Sequence, residues 1–582
     1  MGKQNNAHFF LLMCIIDITF AQIFDFCAMV QIPSFNRQIE DTIKSNWVKD
    51  ALTDYKGATL QYHDVARKIE KLHIMFESIG LKKGDRVALC GRNSATWACA
   101  FLATLTYGAV AVPIQHEFTP DQIYNVVNHS DSRILFVGDV VATQLDYDKM
   151  PELEGIIYLP DYSIVVSRSE QMDYAREHLN EMYGKKFPKY FRQEHVHYYV
   201  DAPEDLAMIN YTSGTTGFSK GVMLSFRVLW SNIDYLTHVL GSKLPKDSDV
   251  LSILPMAHMY GLTCEFLLEF FLGNHIFFLT RLPSPTVIQA AFAEIHPDLI
   301  VSVPLVVEKI IRKKIFPRLN SRIRLMMKMP GIIGKKVRAA VCKMVMDEMG
   351  GKTYEIIVGG AGLSKEIEAF LVEIGFPITV GYGTTETGPM ITYSDWHDFV
   401  PGSCGTVAEH MEMKVLSPDP KNIPGEVVTR GLNVMNGYYK NPQATKAALD
   451  SDGWFHTGDL GTISDDGHLF LLGRIKNMLL GSNGQNVYPE EIEDKLNSMA
   501  MVGESLIVQR GDKLVGLVHP DMDAAHELGF TQADIMNVME QNRQELNHVL
   551  PSFCKISEIQ LQEKEFEKTP KKSIKRYLYK EA

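Results

Sequence analysis

Between Tyr211 and Gly221 the chain reads Y-T-S-G-T-T-G-F-S-K-G, a run whose residue types suit one task, the holding of phosphate. Gly214, Gly217 and Gly221 can take backbone angles closed to other residues, so that neighbouring amides turn inward onto phosphate oxygens. Thr212, Ser213, Thr215 and Thr216 add hydroxyl donors, and Lys220 adds a cation. The G-x-x-x-x-G-K-[ST] spacing of a Walker A loop is absent. The apolar segment Leu206–Asn210 just ahead reads as a strand. A flexible Ser/Gly linker requires neither that strand nor this order of residues.

Five further blocks follow in order: P-M-A-H-M-Y-G from Pro255 to Gly261, G-G-A-G-L from Gly359 to Leu363, and G-Y-G-T-T-E-T-G-P from Gly381 to Pro389. Then come W-F-H-T-G-D-L-G from Trp454 to Gly461 and G-R-I-K-N from Gly473 to Asn477. With the phosphate loop, they resemble the adenylate-forming superfamily of acyl-CoA synthetases, luciferases and peptide-synthetase adenylation domains, from about Gly57 to the C-terminus. The resemblance implies ATP and Mg2+, with coenzyme A as co-substrate. It places His258 with Gly360 and Gly383 at an acyl pocket. It gives the nucleotide to Thr212, Ser213, Gly214, Thr215, Thr216, Gly217, Lys220, Gly360, Ala361, Gly381, Tyr382, Gly383, Thr384, Thr385, Asp459 and Arg474. Within that set Tyr382 would stack on adenine, Thr385 would contact phosphate, and Asp459 and Arg474 would hold the ribose. Glu386 and Thr212 would serve the metal, Lys476 would be the hinge, and Lys572, Thr212 and Glu386 would be catalytic.

These residue types match the chemistry that the resemblance implies. A carboxylate is a poor electrophile, so it must first attack the α-phosphate of ATP and expel pyrophosphate. Both reactants are anions, and their charge must be neutralised before they approach. Magnesium on Glu386, inward amides of the loop and a mobile lysine would do so by positioning and electrostatics. The ion suits a site with one carboxylate plus substrate phosphates and waters. The second half-reaction needs a thiol where the first needed a lysine, and the family makes that exchange by rotating a small domain about its hinge.

The elements that must position these groups are of the α/β class. From Gly57 onward short β-branched runs alternate with helical patterns: Val87–Cys90 a strand, Ala95–Leu105 a helix, Ala109–Pro113 and Ile134–Val137 strands. That alternation predicts parallel sheets layered with helices. After about Gly405 short strands and tight turns (Met413–Leu416, Gly425–Arg430, His468–Leu472) predict an antiparallel, β-barrel-like subdomain. Helices opening at Pro489 and spanning about Gln532–Leu550 mark a small, mobile α+β C-terminal domain. The expected division is a large ATP- and acyl-binding domain over 29–473, a hinge over 474–477, and the small domain over 478–582.

Residues 1–28 read as an N-terminal extension. Its apolar stretch Phe9–Val30 is interrupted by Asp17, Gln22 and Asp25, which makes a poor membrane span. It faintly resembles a secretory leader, but the favoured reading starts the protein at Met29, because ordinary enzyme sequence begins at Ile32. A chain of 582 residues exceeds one ordinary core, and its net charge of −12 argues against a nucleic-acid binder, which needs a strongly basic face for counterion release. Eight scattered cysteines without a C-x-x-C pair read as reduced thiols.

For the acid, the stretches His296–Lys309 and Ser482–Glu493 resemble bacterial long-chain fatty acyl-CoA synthetases, as does a helical insert over residues 310–350. That branch implies a medium- or long-chain fatty acid carried through acyl-AMP to coenzyme A. The alternatives are a fatty acyl-AMP ligase that loads an acyl-carrier protein, and a catalytically impaired acyl- or nucleotide-binding homologue. Between Arg312 and Lys343 the insert carries eleven basic residues and no acidic one. It reads equally as a solvated face paired with acids elsewhere, or as a peripheral contact with anionic membrane through residues 312–343. ATP use implies a cytoplasmic protein, the insert then facing the inner membrane surface. One departure from the family stands near the C-terminus, where Thr569-Pro570-Lys571-Lys572-Ser573 puts serine in the lysine's register and leaves Lys572 and Lys575 as its neighbours.

Overall fold

In the computed structural model, residues 30–212, 220–280, 284–480, 486–511, 513–568 and 574–579 are described. Two large sheets dominate. The first has eight strands, ordered Gly437–Tyr438, Lys220–Ser225, Leu206–Thr212, Val110–Ile114, Arg86–Cys90, Ser132–Val137, Gly155–Tyr158 and Ile164–Ser167. Its five central strands run parallel. The second has seven, ordered Ile378–Val380, Glu355–Val358, Leu299–Ser302, Asp249–Ser252, His275–Phe278, Asp50–Asp54 and Thr59–Gln61. Every pairing in it is parallel except the last.

Helix Ala95–Tyr107 shows why the sheets stack. Ser94 caps it by accepting from the Trp97 amide at 3.1 Å, and Gly108 ends it at φ +86°. It is apolar all round, and all but two of its residues are buried. Such a helix is stable only between layers. Its Ala95 amide donates to Asp54 Oδ1 of the second sheet at 2.8 Å. Just before it, Asn93 donates to Leu254 O at 2.6 Å, while Phe101 meets Phe266 edge-on at 6.3 Å between ring centroids. One continuous core therefore spans both sheets.

The antiparallel part comprises a three-stranded sheet, Tyr382–Gly383, Met390–Tyr393 and Thr406–Val407, and a four-stranded sheet, Met411–Leu416, Gly425–Gly431, Phe455–Ile463 and Leu469–Arg474. Antiparallel pairing thus starts ahead of Gly405. The strand expected over His468–Leu472 runs Leu469–Arg474 instead. Ser464 accepts from the His468 amide at 3.0 Å, so the turn keeps His468 and the ladder extends to Arg474. The C-terminal region has its own core, built on Val502–Arg510, Lys513–Pro520, Ile556–Leu561 and the helices Pro489–Asn497 and Gln532–Val549. All six described cysteines are free, and Cys90, Cys99 and Cys264 are buried.

Candidate functional site

Strands Leu206–Thr212 and Lys220–Ser225 pair antiparallel with Thr212 opposite Lys220, so the phosphate-type loop leaves and returns at one point of the first sheet. Ser213, Gly214, Thr215, Thr216 and Gly217 lie outside the described residues. At the loop's base the Lys220 ammonium sits 4.6 Å from the centre of the Tyr438 ring. The Tyr438 hydroxyl in turn donates to Glu386 Oε1 at 2.8 Å. Burial and the neighbouring Glu386 charge push the Tyr438 phenol far up, so it stays a donor. Tyr438 stands on the short strand Gly437–Tyr438, which pairs with Val222–Met223. A single tyrosine thereby joins Lys220 and Glu386, which sequence reading assigned to the site separately.

The Gly381–Pro389 segment is pinned from several sides. The Gly381 amide donates to Val358 O at 2.9 Å, and that of Thr384 to Pro389 O at 2.9 Å. Fully buried Asn232 donates to Thr387 O at 3.1 Å and accepts from the Met390 amide at 2.9 Å. Gly383 is required by close approach, since a Cβ there would lie 1.9 Å from Pro389 O. Thr385 is buried in the same turn as half-buried Glu386, whose carbonyl accepts from the Met435 amide at 2.9 Å.

A second cluster forms where Phe455–Ile463 and Leu469–Arg474 pair with Asp459 opposite Arg474. Tyr382 donates its hydroxyl to Asp459 Oδ2 at 2.6 Å, and Arg474 Nε lies 3.0 Å from Asp459 Oδ1. Burial raises the Asp459 carboxyl above its ordinary range, and Arg474 opposes that rise. A carboxylate offers about four acceptor positions. Among the described residues each oxygen here has one donor, which leaves room on both for a further hydroxyl.

Gly359 and Gly360 close the end of strand Glu355–Val358. The Gly359 amide donates to Ser302 O at 3.1 Å, and Gly360 has φ +84°, a value that favours glycine. A Cβ on Gly359 would come within 2.9 Å of the Tyr260 ring, whose hydroxyl donates to Ile357 O at 3.0 Å. The Pro255–Gly261 loop thus lies against the Gly359–Leu363 turn, where Gly360 and Ala361 are exposed. His258 begins the short helix Met259–Gly261, its Nδ1 accepting from the Tyr260 amide at 3.2 Å. Asn210 of strand Leu206–Thr212 donates to Ala257 O at 3.0 Å and ties this loop to that strand.

Lys476 is exposed in a single turn, Ile475–Asn477, and Asn477 donates to Glu490 Oε1 at 2.7 Å. Lys572 and Ser573 lie outside the described residues. Lys575, the other neighbour, has its ammonium 3.3 Å from Glu567 Oε2. Among the described residues no group of three or more His, Cys, Asp or Glu side chains could hold a metal. The donors at hand are the Glu386 carboxylate and the Thr212 hydroxyl. Such a pair fits magnesium that keeps phosphate oxygens and waters, and does not fit an all-protein cage.

Sequence reading missed Tyr438, Asn232 and Glu490. The glycine before Tyr438 was the only local signal, since its partners lie far away in sequence. It found Tyr382, Asp459 and Arg474, which meet, and Lys220 and Glu386, which meet through Tyr438.

The model of the AMP-binding enzyme family matches residues 39–439, and that of the AMP-binding enzyme C-terminal domain matches residues 476–581. A 4-coumarate–CoA ligase of Oryza sativa subsp. japonica is 30% identical over 476 residues, 79% of each chain. Fatty acyl-CoA synthetase A of Dictyostelium discoideum is 26% identical over 551 residues, 86% of this chain and 78% of that one. Among solved structures, ATP-bound MatB from Rhodopseudomonas palustris superposes with a TM-score of 0.71 at 23% identity, covering 97% of this chain and 98% of that one. The expected kinship with bacterial long-chain synthetases is therefore not singled out, because 4-coumarate–CoA ligases match as well.

Proposed function

The chain belongs to the AMP-binding enzyme family, and on that premise we propose that it is an AMP-forming acid–thiol ligase. It joins a medium- or long-chain fatty acid to coenzyme A through an acyl-adenylate. The observation that carries the reading is the pair of clusters on either side of Tyr382–Glu386: Tyr382, Asp459 and Arg474 on one, and Lys220, Tyr438 and Glu386 on the other. A nucleoside triphosphate has the same polarity, with hydroxyls to donate at one end and phosphate charge to neutralise at the other.

In the first half-reaction an acid oxygen bonds to the α-phosphorus and the bond to pyrophosphate breaks. Asp459 has free acceptor capacity for the ribose hydroxyls, and Lys220 brings positive charge to the mouth of the phosphate loop. Glu386 and Thr212 would hold magnesium, which when bound neutralises phosphate charge. Lys572 would bring the remaining cation from the small domain. In the second half-reaction the thiol of coenzyme A forms a thioester and AMP leaves. The proposed division is a body over 29–473, a hinge over 474–477 that includes Lys476, and a small domain over 478–582. The fatty-acid assignment rests on the Val303–Lys309 stretch and the helical insert, and a cytoplasmic site of action rests on the use of ATP.

The test is pyrophosphate release over a panel of acetate, 4-coumarate and saturated acids of rising length, with and without coenzyme A. A buried methylene contributes about 0.8 kcal/mol, so kcat/KM should climb steeply with length up to a cut-off. Preference for 4-coumarate would refute the fatty-acid assignment alone. Release of pyrophosphate without thioester would point to a carrier-protein acceptor, and no release with any acid would leave a binding protein.

A further inference from the structure

We propose that the turn joining helices Ser321–Met327 and Gly331–Glu348 is a docking surface for an anionic lipid bilayer. The inference is independent of the acid that the enzyme takes. The structure divides the eleven cations of the insert into two groups. Arg312 pairs with Glu366 at 3.0 Å, Lys313 with Asp523 at 2.9 Å, Arg318 with Glu348 at 2.8 Å and Lys343 with Asp347 at 3.0 Å. Arg338 donates to Met327 O at 2.5 Å, and Arg324 donates to Leu319 O at 3.1 Å. These six belong to the fold. Lys328, Lys335 and Lys336 are exposed, with no acidic partner among the described residues, and stand in the turn or just after it; Arg322, at the opposite end of the first helix, is exposed and without an acidic partner among them too. Lys314 is exposed and likewise unpaired, but farther from the turn.

The same turn exposes apolar side chains. Ile332 is 75% exposed, Leu325 69%, Ile333 53% and Met329 40%. Four large aliphatic residues within nine positions exceed the scattered apolar exposure of an ordinary surface. The helix that carries Ile332 and Ile333 is anchored to the fold, because Val341 and Val345 are buried farther along it and Glu348 at its end pairs with Arg318. A surface with aliphatic tips and a rim of unpaired cations is complementary to a layer that is apolar in depth and anionic at its face. The rest of the chain would oppose such a layer, since the protein carries a net charge of −12. Among the described residues no helix is long and apolar enough to cross a membrane, so contact would be at the surface.

The experiment is co-sedimentation of the full chain with phosphatidylglycerol–phosphatidylcholine vesicles and with pure phosphatidylcholine vesicles, at low and high salt. The native protein should pellet with the anionic vesicles at low salt and release as salt rises. Each neutralised cation should weaken binding about fivefold, so Lys328→Gln, Lys335→Gln and Lys336→Gln together should cost roughly a hundredfold. Ile332→Ser with Ile333→Ser should abolish the part that survives salt. In a parallel variant, Ile332→Trp, tryptophan emission should shift to the blue on anionic vesicles alone. These residues are exposed, so the variants should melt with the native protein and keep its activity on a water-soluble acid. Absence of native binding, equal binding by native and variant proteins, or an unshifted Ile332→Trp emission would overturn the proposal. Self-association through the turn in the absence of lipid would do so too, by assigning the surface to a second copy.

Discussion

Tyr438→Phe removes one oxygen and leaves the ring beneath Lys220. The lost bond is the 2.8 Å donation to Glu386 Oε1. A hydrogen bond to a charged partner contributes about 1.5–3 kcal/mol, which corresponds to a loss of roughly 10- to 150-fold. Loss of a residue that orients a metal ligand costs about 10- to 100-fold in metal affinity by a separate line of reasoning. Both ranges describe the same event, because the hydroxyl holds one oxygen of the carboxylate proposed to bind the metal. The assay is pyrophosphate release titrated with magnesium at saturating ATP. The half-saturating magnesium concentration should rise by one to two orders of magnitude, with a smaller fall in rate at saturating metal, while the melting temperature stays close to native. Glu386→Gln should remain inactive at every magnesium concentration. A native magnesium curve for Tyr438→Phe beside an inactive Glu386→Gln would refute the reasoning and reduce Tyr438 to a packing residue.

Asp459→Asn should weaken the partnership with Arg474 and lower kcat/KM for ATP by roughly 10- to 100-fold, with the acid's KM little changed, as steady-state kinetics in each substrate would show. Gly383→Ala should disrupt the loop, because the new methyl carbon would lie 1.9 Å from Pro389 O; adenylation should fall with no comparable loss at Gly362, where a Cβ meets nothing within 4 Å. Glu355, buried beside Asp395, has its carboxyl pushed up from 4.5 to about 8, chiefly by burial. Its stabilising contribution is therefore complete below pH 4.5 and lost as pH rises through about 8. Glu355→Gln does not titrate, so in urea melts at pH 5.5 and 8.5 it should gain on the native protein by several kcal/mol between the two.

What was legible in the sequence was chemistry carried by adjacent residues. Gly381–Pro389 could be recognised because its glycines and threonines serve one local turn, and Trp454–Gly461 because its aspartate and glycines share one strand. Asp459 and Arg474 could be named apart, but their meeting depends on a ladder whose start is set by Ser464 capping His468. Tyr438 was not legible, since its position follows from pairing with Val222–Met223, more than two hundred residues earlier. The insert shows the same division. Its eleven cations are countable in sequence, but Arg312 finds Glu366 and Lys313 finds Asp523 only through the fold. The question of a solvated or a lipid-facing surface thus became a question about separate residues.

The hinge proposal gains a physical basis from what lies on each side of Lys476. Arg474 is held by Asp459 of the large body, and Asn477 by Glu490 of helix Pro489–Asn497. Only Ile475 and Lys476 lie between, and both are exposed. Rotation there gives up the turn bonds from the Met478 amide to Arg474 O and Ile475 O at 3.2 and 3.3 Å, a cost of about 1 kcal/mol each. On the other side, the same helix anchors the C-terminal tail. Arg576 pairs with Glu493, whose carboxyl burial raises to about 7, and lies 3.7 Å from Glu490. The tail re-enters beside its own exit, Ile574 bridging Lys568. Helix Pro489–Asn497 therefore holds both Asn477, at the far end of the proposed hinge, and Arg576 of the tail. Torsion at two residues would then move helix Pro489–Asn497 together with Lys568 and Ile574, the described residues on either side of the lysine run, which is what replacing a cation by a thiol in one site demands.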